Sequence, residues 1–208
     1  MFDAVFFDLD GTLIDTERLA MAATVSAFAA MGFEVGHDFL HDLVGKDMPT
    51  GERLIAARYP LLDLKDLDRR VAFAINQELL SGMPLKPGVH ALLAKIAQPK
   101  AIVTSSSRGS AVRKVTQAGL MDDFQYLITL DDVKRAKPAP DPYLLAAKRL
   151  GVAPARCLVF EDSEVGAQAA HSAGMRVVQV PDLVPSDGRF AHHLADDLIS
   201  GARAAGLI

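Results

Sequence analysis

The chain begins with Asp3-Ala4-Val5-Phe6-Phe7, a short apolar run closed by Asp8, Asp10 and Gly11, which predicts a buried strand ending in a turn. From residue 83 onward the pattern becomes regular. Val89, Leu92, Leu93 and Ile96 recur at helical spacing, Ala101-Ile102-Val103 has the length and composition of a buried strand, and Val112, Val115 and Leu120 predict the next helix. Tyr126-Leu127-Ile128, Cys157-Leu158-Val159-Phe160 and Val177-Val178-Gln179-Val180 predict further strands, with helices over about 140–150 and 165–173 between them. Strands alternating with helices predict an α/β fold, a parallel sheet with helices on both faces.

Residues from about 16 to 81 break this rhythm. Helix-like stretches fall around 17–31, 50–58 and 64–80 with no convincing strand between them, and the far edge is the turn-rich segment Gly82-Met83-Pro84-Leu85-Lys86-Pro87-Gly88. An all-helical insertion after the first strand is the simplest account. Two linkers, near 13–16 and 82–88, would join it to the sheet and can act as a hinge.

Composition narrows the choice of partner. Half of the 208 residues are hydrophobic, which suits a sizeable core in one large domain or a domain carrying an insertion. The formal charge of −4, without any Lys/Arg run, offers no basic field for nucleic acid and no patch for a membrane surface. No stretch approaches the roughly 20 apolar residues of a membrane span. A single cysteine, Cys157, excludes an internal disulfide, and the start Met1-Phe2-Asp3 lacks the features of a signal peptide, so the expected location is cytoplasmic. The expected partner is a small polar molecule, and the expected state is a monomer or small homo-oligomer.

In open parallel sheets, ligands bind beyond the carboxyl ends of the strands. Asp8 and Asp10 follow the first strand, Thr104, Ser105 and Ser106 end the second, and Glu161 with Asp162 end a later one, so these groups are expected to converge. Carboxylates gathered at ~4 Å repel by about 4 kcal/mol per pair at an effective dielectric of 20, so such a cluster needs a cation. Oxygen-only ligands favour a hard divalent ion, and Mg²⁺ takes one or two carboxylates plus substrate phosphate oxygens. Lys137 adds a fixed positive charge. The hydroxyls of 104–106 precede a helix starting near Gly109, where backbone N–H groups favour an anion. A phosphate ester suits the whole set, because metal and lysine spread the phosphoryl charge while a free carboxylate attacks phosphorus.

Taken singly, the segments have plainer readings. Asp8-Leu9-Asp10-Gly11 is also a strand-ending turn, Lys137-Pro138 is also a solvated lysine before a turn, and Glu161-Asp162-Ser163 is also a helix N-cap. The order of all the segments favours the site. Arg108 and Lys46 are candidate phosphate contacts that also read as solvated loop residues, and His192-His193 reads as surface.

The segments DLDGTL, the strand-ending threonine and serines, KPAPDPY and FEDSEVGAQAAHSAGM resemble the four motifs of the haloacid dehalogenase superfamily of phosphotransferases, across residues 1–15 and 85–185. The helical insertion is similar to the small mobile cap of the branch containing β-phosphoglucomutase and the sugar-phosphate and phosphoglycolate phosphatases. This resemblance implies a Rossmann-like core at 1–15 and 85–208 with a cap at 16–84. It implies that Asp8 is the nucleophile forming an aspartyl phosphate. It implies that Asp10 protonates the leaving alcohol, then activates water, while its backbone carbonyl binds Mg²⁺. Thr104, or Ser105 after a one-residue shift, would hold a phosphoryl oxygen beside Ser106, and Lys137 would bridge that group and Asp8. Asp162 would be the acidic metal ligand, with Glu161 beside it or reaching the ion through water. The mutase of this branch carries a histidine where this chain has Ala20 and a basic cap residue where Gly45-Lys46-Asp47-Met48 lacks arginine. The expected activity is therefore hydrolysis of a small phosphorylated metabolite. Phosphomutase chemistry and a non-catalytic metabolite-binding role are the alternatives.

Overall fold

The computed structural model describes residues 1–43 and 48–208; Lys46 and most of its loop lie outside the described residues. The chain divides into two compact units, Met1–Asp15 with Met83–Ile208, and Thr16–Gly82.

The first unit is built on a six-stranded sheet of β1 (Ala4–Phe7), β2 (Lys100–Val103), β3 (Tyr126–Ile128), β4 (Cys157–Glu161), β5 (Arg176–Gln179) and β6 (His193–Leu194). The order is β3-β2-β1-β4-β5-β6, and every neighbouring pair is parallel. The chain runs outward from β1 to β3, then returns to the other side of β1 for β4. The order thus reverses between β1 and β4, and a crevice opens there at the carboxyl ends of the strands.

Both sheet faces are buried, which explains why the strands read as continuous apolar runs rather than alternating ones. Ala4, Phe6, Ala101, Val103, Cys157, Val159 and Val177 share one face with Tyr143, Ala146 and Ala147, and with Ala167, Ala169 and Ala170. Val5, Phe7, Ile102, Leu158, Phe160 and Val178 are buried on the other, where Phe7 stacks on Phe160 at 4.9 Å between centroids.

The second unit is helical throughout its described elements: α1 (Thr16–Ala30), α2 (His37–Leu43), α3 (Met48–Arg58) and α4 (Leu64–Glu78). Phe28, Leu62 and Leu67 form its core with Ile55, Tyr59 and Val71 around them, and Phe28 meets Tyr59 edge to face at 5.0 Å. Asp63 caps α4 by accepting the Lys65 and Asp66 N–H groups. The sheet unit's helices are α5 (Val89–Leu93), α6 (Arg108–Gln117), α7 (Asp141–Leu150), α8 (Glu164–Ser172) and α9 (Leu198–Ala204). α9 packs closely on the second sheet face, because a Cβ at Gly201 would come within 2.4 Å of Val178. No described helix is long and apolar enough to cross a membrane.

The parallel α/β sheet agrees with the periodicity, and three departures have local causes. The helix expected over 89–96 is only Val89–Leu93, with buried Ile96 packed from the turn beyond it. β6 pairs only two residues and leaves Leu194 half exposed, so no apolar run marks it. β4 extends one residue further than its apolar run because Glu161, though charged, is wholly buried and pairs with Gln179.

Candidate active site

The turn after β1 places its two aspartates differently. Asp8 continues the ladder, donating its N–H to the Phe160 carbonyl at 2.9 Å, and its side chain is almost fully buried. Gly11 turns the chain at φ +85°, in the left-handed region, and a Cβ there would meet Asp162 Oδ2 at 2.5 Å. Only glycine fits both constraints. The turn therefore closes over Asp162, whose Oδ1 accepts from the Thr12 hydroxyl at 3.3 Å.

Lys137 reaches this end of the sheet from the segment preceding α7. Its Nζ donates to Asp8 Oδ1 at 2.6 Å, to Glu161 Oε1 at 2.6 Å and to the Val103 carbonyl at 2.8 Å. Glu161 is held in turn by the Tyr143 hydroxyl at 2.6 Å and the Ser163 hydroxyl at 3.2 Å. Its carboxylate occupies the space a side chain at position 166 would need, since a Cβ on Gly166 would lie 1.9 Å from Oε1. Opening outward from this group is a cleft of about 290 Å³ lined by Asp8, Asp10, Thr104, Ser105, Ser106, Lys137, Asp162, Ser163 and Val165.

Burial pushes the Asp8 carboxyl up to about 7, with Lys137 opposing and Glu161 adding to the rise. Asp162 is pushed up to about 9 by burial, then by Asp8 and Glu161. Burial also works against charge on Lys137, yet Asp8 and Glu161 outweigh it and hold the ammonium above its ordinary value. Carboxylate oxygens of Asp8, Glu161 and Asp162 lie within 4.8 Å of one another. Fully ionised, the three carboxylates against one ammonium would carry two formal negative charges, the surplus that adds to burial in raising Asp8 and Asp162 here and that a divalent cation with oxygen ligands matches in charge and chemistry.

The family model of haloacid dehalogenase-like hydrolases matches residues 2–174, a span that contains every residue of this cleft. The chain belongs to the haloacid dehalogenase-like hydrolases. It is 33% identical over 183 residues to the fructose-1-phosphate phosphatase of Escherichia coli, covering 86% of this chain and 96% of that one. It is 30% identical over 177 residues to a phosphorylated carbohydrates phosphatase of Thermotoga maritima, covering 83% and 82% respectively. A family hydrolase of Deinococcus radiodurans, solved with bound phosphate and sodium, superposes with a TM-score of 0.86 at 27% identity, over 100% of this chain and 97% of that one.

In this haloacid dehalogenase-like hydrolase Asp8, Asp10, Thr104, Ser105, Ser106, Lys137 and Asp162 share one cleft, while Glu161 stands behind it, wholly buried. Thr104 is buried and its hydroxyl accepts the Ser106 N–H at 3.1 Å, whereas Ser105 is exposed. Arg108 is bound to Asp132 by its guanidinium and to Asp131 by its N–H, and it is not among the cleft residues. His192 accepts the Val177 N–H on Nδ1, a structural contact on β5. Sequence reasoning overlooked Tyr143, Thr12 and Lys114. Tyr143 falls inside the KPAPDPY segment, so its place was readable. Lys114 carries no local signal, yet its Nζ lies 2.6 Å from Asp10 Oδ1.

Proposed function

We propose that this hydrolase is a Mg²⁺-dependent phosphatase that cleaves a small phosphorylated metabolite, a sugar phosphate or related acid, through an aspartyl phosphate on Asp8. The observation that carries the reading is the buried Asp8–Lys137 pair at 2.6 Å, set at the floor of a hydroxyl-lined cleft where the strand order reverses. The inserted helical unit, residues 16–82, is assigned the role of a cap that selects the substrate.

Asp8 attacks phosphorus and the bond from phosphorus to the leaving oxygen breaks, with Asp10 giving that oxygen its proton. Asp10 then takes a proton from water, the water oxygen attacks phosphorus, and the bond to Asp8 breaks to release phosphate. Lys137 and Thr104 face the cleft where the phosphoryl oxygens would lie, and the ammonium is fixed before substrate arrives, so no reorganisation is needed. Glu161 and Tyr143 act on Lys137, holding its stem and charge in place. Asp8 and Asp162, with the Asp10 carbonyl, would hold Mg²⁺. When bound, the ion supplies positive charge against the phosphoryl oxygens.

The test is hydrolysis of p-nitrophenyl phosphate and of a panel of sugar phosphates with Mg²⁺. The reading requires phosphate release that a chelator abolishes and Mg²⁺ restores. Inactivity over the whole panel would leave a metabolite-binding role, and transfer between positions of one sugar without phosphate release would mark a mutase.

A further inference from the structure

The Asp10 carboxylate is gripped at both oxygens. Lys114 Nζ donates to Oδ1 at 2.6 Å and the Ser106 hydroxyl donates to Oδ2 at 3.0 Å, while Lys114 also reaches the Ser106 oxygen at 3.3 Å. The triangle ties three elements together: the turn after β1, the loop after β2, and α6. Lys114 is about three-quarters buried although it is a lysine, and its Nζ reaches from α6 to Asp10, which lines the cleft. Packing alone does not require an ammonium here. An apolar side chain would cover the same stem area, but the charge is aimed at one oxygen of one carboxylate.

We propose that Lys114 is a positioning residue for proton transfer, fixing the orientation of the Asp10 carboxylate toward the leaving oxygen through the shared Ser106 hydroxyl. The proposal rests on the phosphatase reading of the same cleft. With Oδ1 held by the Lys114 ammonium the side chain keeps one rotamer, and Oδ2, whose Ser106 partner is a hydroxyl that can turn away, carries the proton to the departing group within hydrogen-bond reach. Freed from Lys114, Asp10 keeps only the Ser106 contact of this triangle and spends less time aligned. Misplacement by about 1 Å costs on the order of 100-fold in such a step.

The experiment measures kcat and KM with Mg²⁺ for a series of substituted phenyl phosphates, from p-nitrophenyl to p-methoxyphenyl, in wild type, Lys114→Met, Lys114→Arg, Asp10→Ala and the Asp10→Ala/Lys114→Met double variant. Thermal melting of each variant accompanies the rates. Lys114→Met should lower kcat/KM, which reports phosphoryl transfer to Asp8 alone, roughly 10- to 100-fold on the p-methoxyphenyl ester, whose leaving group needs the proton, and only a few-fold on the p-nitrophenyl ester. Lys114→Arg should recover most of the loss, and Lys114→Met should add nothing in the Asp10→Ala background. Equal losses of kcat/KM on both esters, or additive losses in the double variant, would overturn the proposal while leaving the phosphatase reading intact. No hydrolysis by wild type would overturn both.

Discussion

Lys137 and Lys114 each neutralise an aspartate of the first turn at 2.6 Å, yet they do so in opposite surroundings. The inner pair is mostly buried, with side chains 4% and 10% exposed, whereas the outer pair is 23% and 31% exposed. Coulomb energy at a given distance scales inversely with dielectric, so the inner attraction is scarcely screened but is offset by the desolvation that raises Asp8, while the outer one weakens with salt. The difference matches the chemistry proposed for each aspartate. A nucleophile and its counter-charge gain from a rigid site formed before substrate binds, and a group that must give and retake a proton needs access to water while its orientation is held.

The sharpest way to break this comparison is at its centre. Asp8→Asn keeps the shape of the inner pair but removes the nucleophile, so turnover should fall roughly a thousandfold or more, with melting temperature and substrate binding largely kept. Steady-state rates beside equilibrium binding of a substrate by calorimetry check it; activity within a few-fold of wild type would remove Asp8 from that role. Asp162→Asn touches the same buried cluster on the side proposed to hold the metal. Apparent Mg²⁺ affinity should drop at least roughly tenfold, with excess Mg²⁺ restoring part of the rate. An unchanged Mg²⁺ dependence would contradict that assignment.

Gly166→Ala sharpens the claim that the inner half is rigid, because it alters no chemical group. Its new Cβ would meet Glu161 at 1.9 Å, so either the carboxylate or the start of α8 must shift. Overpacking of this kind costs roughly 1–3 kcal/mol in chemical denaturation, and the displaced Glu161 should drag Lys137 and lower kcat with it. Stability and rate both unchanged would show that the inner half is softer than its packing indicates.

The smallest effect is expected outside the cleft. Burial works against charge on Asp132, but hydrogen bonds from the Thr129 N–H and hydroxyl, and from Arg108 and Arg149, hold its carboxyl well below the usual range. A depressed folded-state pKa means that the stabilisation is present above the ordinary aspartate value of about 3.9 and is lost as the pH falls below it. Asp132→Asn should therefore cost about 1–2 kcal/mol at neutral pH, reduced because its arginine partners are partly solvated. The gap from wild type should close in urea melts at acid pH. A gap that persisted there would assign the loss to something other than this charge.

The inner half of the site was far more legible in the sequence than the outer. Asp8, Glu161 and Asp162 sit at the ends of fully buried apolar runs, and a parallel sheet brings such ends together whatever the side chains between them. Lys114 is 104 residues from its partner and lies on a helix whose pattern shows only which face is buried, not where a long side chain ends. The same limit hid α9. Its capping box, Asp197 with Ser200, was a readable helix start, but the two-residue strand before it left no apolar run to anchor the prediction. In the helical unit, α2 is seven residues long and mostly solvated, too short for a periodic signal.

The covalent role of Asp8, served by Asp10 in a separate step, has one direct test. In Asp10→Ala the phosphoryl group of p-nitrophenyl phosphate can still pass to Asp8, because that leaving group departs without a proton, but no side chain then activates the water that should remove it. Rapid-quench kinetics with Mg²⁺, followed by mass spectrometry of the quenched peptides, should show a burst of about one nitrophenolate per enzyme and one phosphoryl group on the peptide containing Asp8. A steady rate without a burst and an unmodified Asp8 peptide, or a phosphoryl group on another residue, would contradict the account.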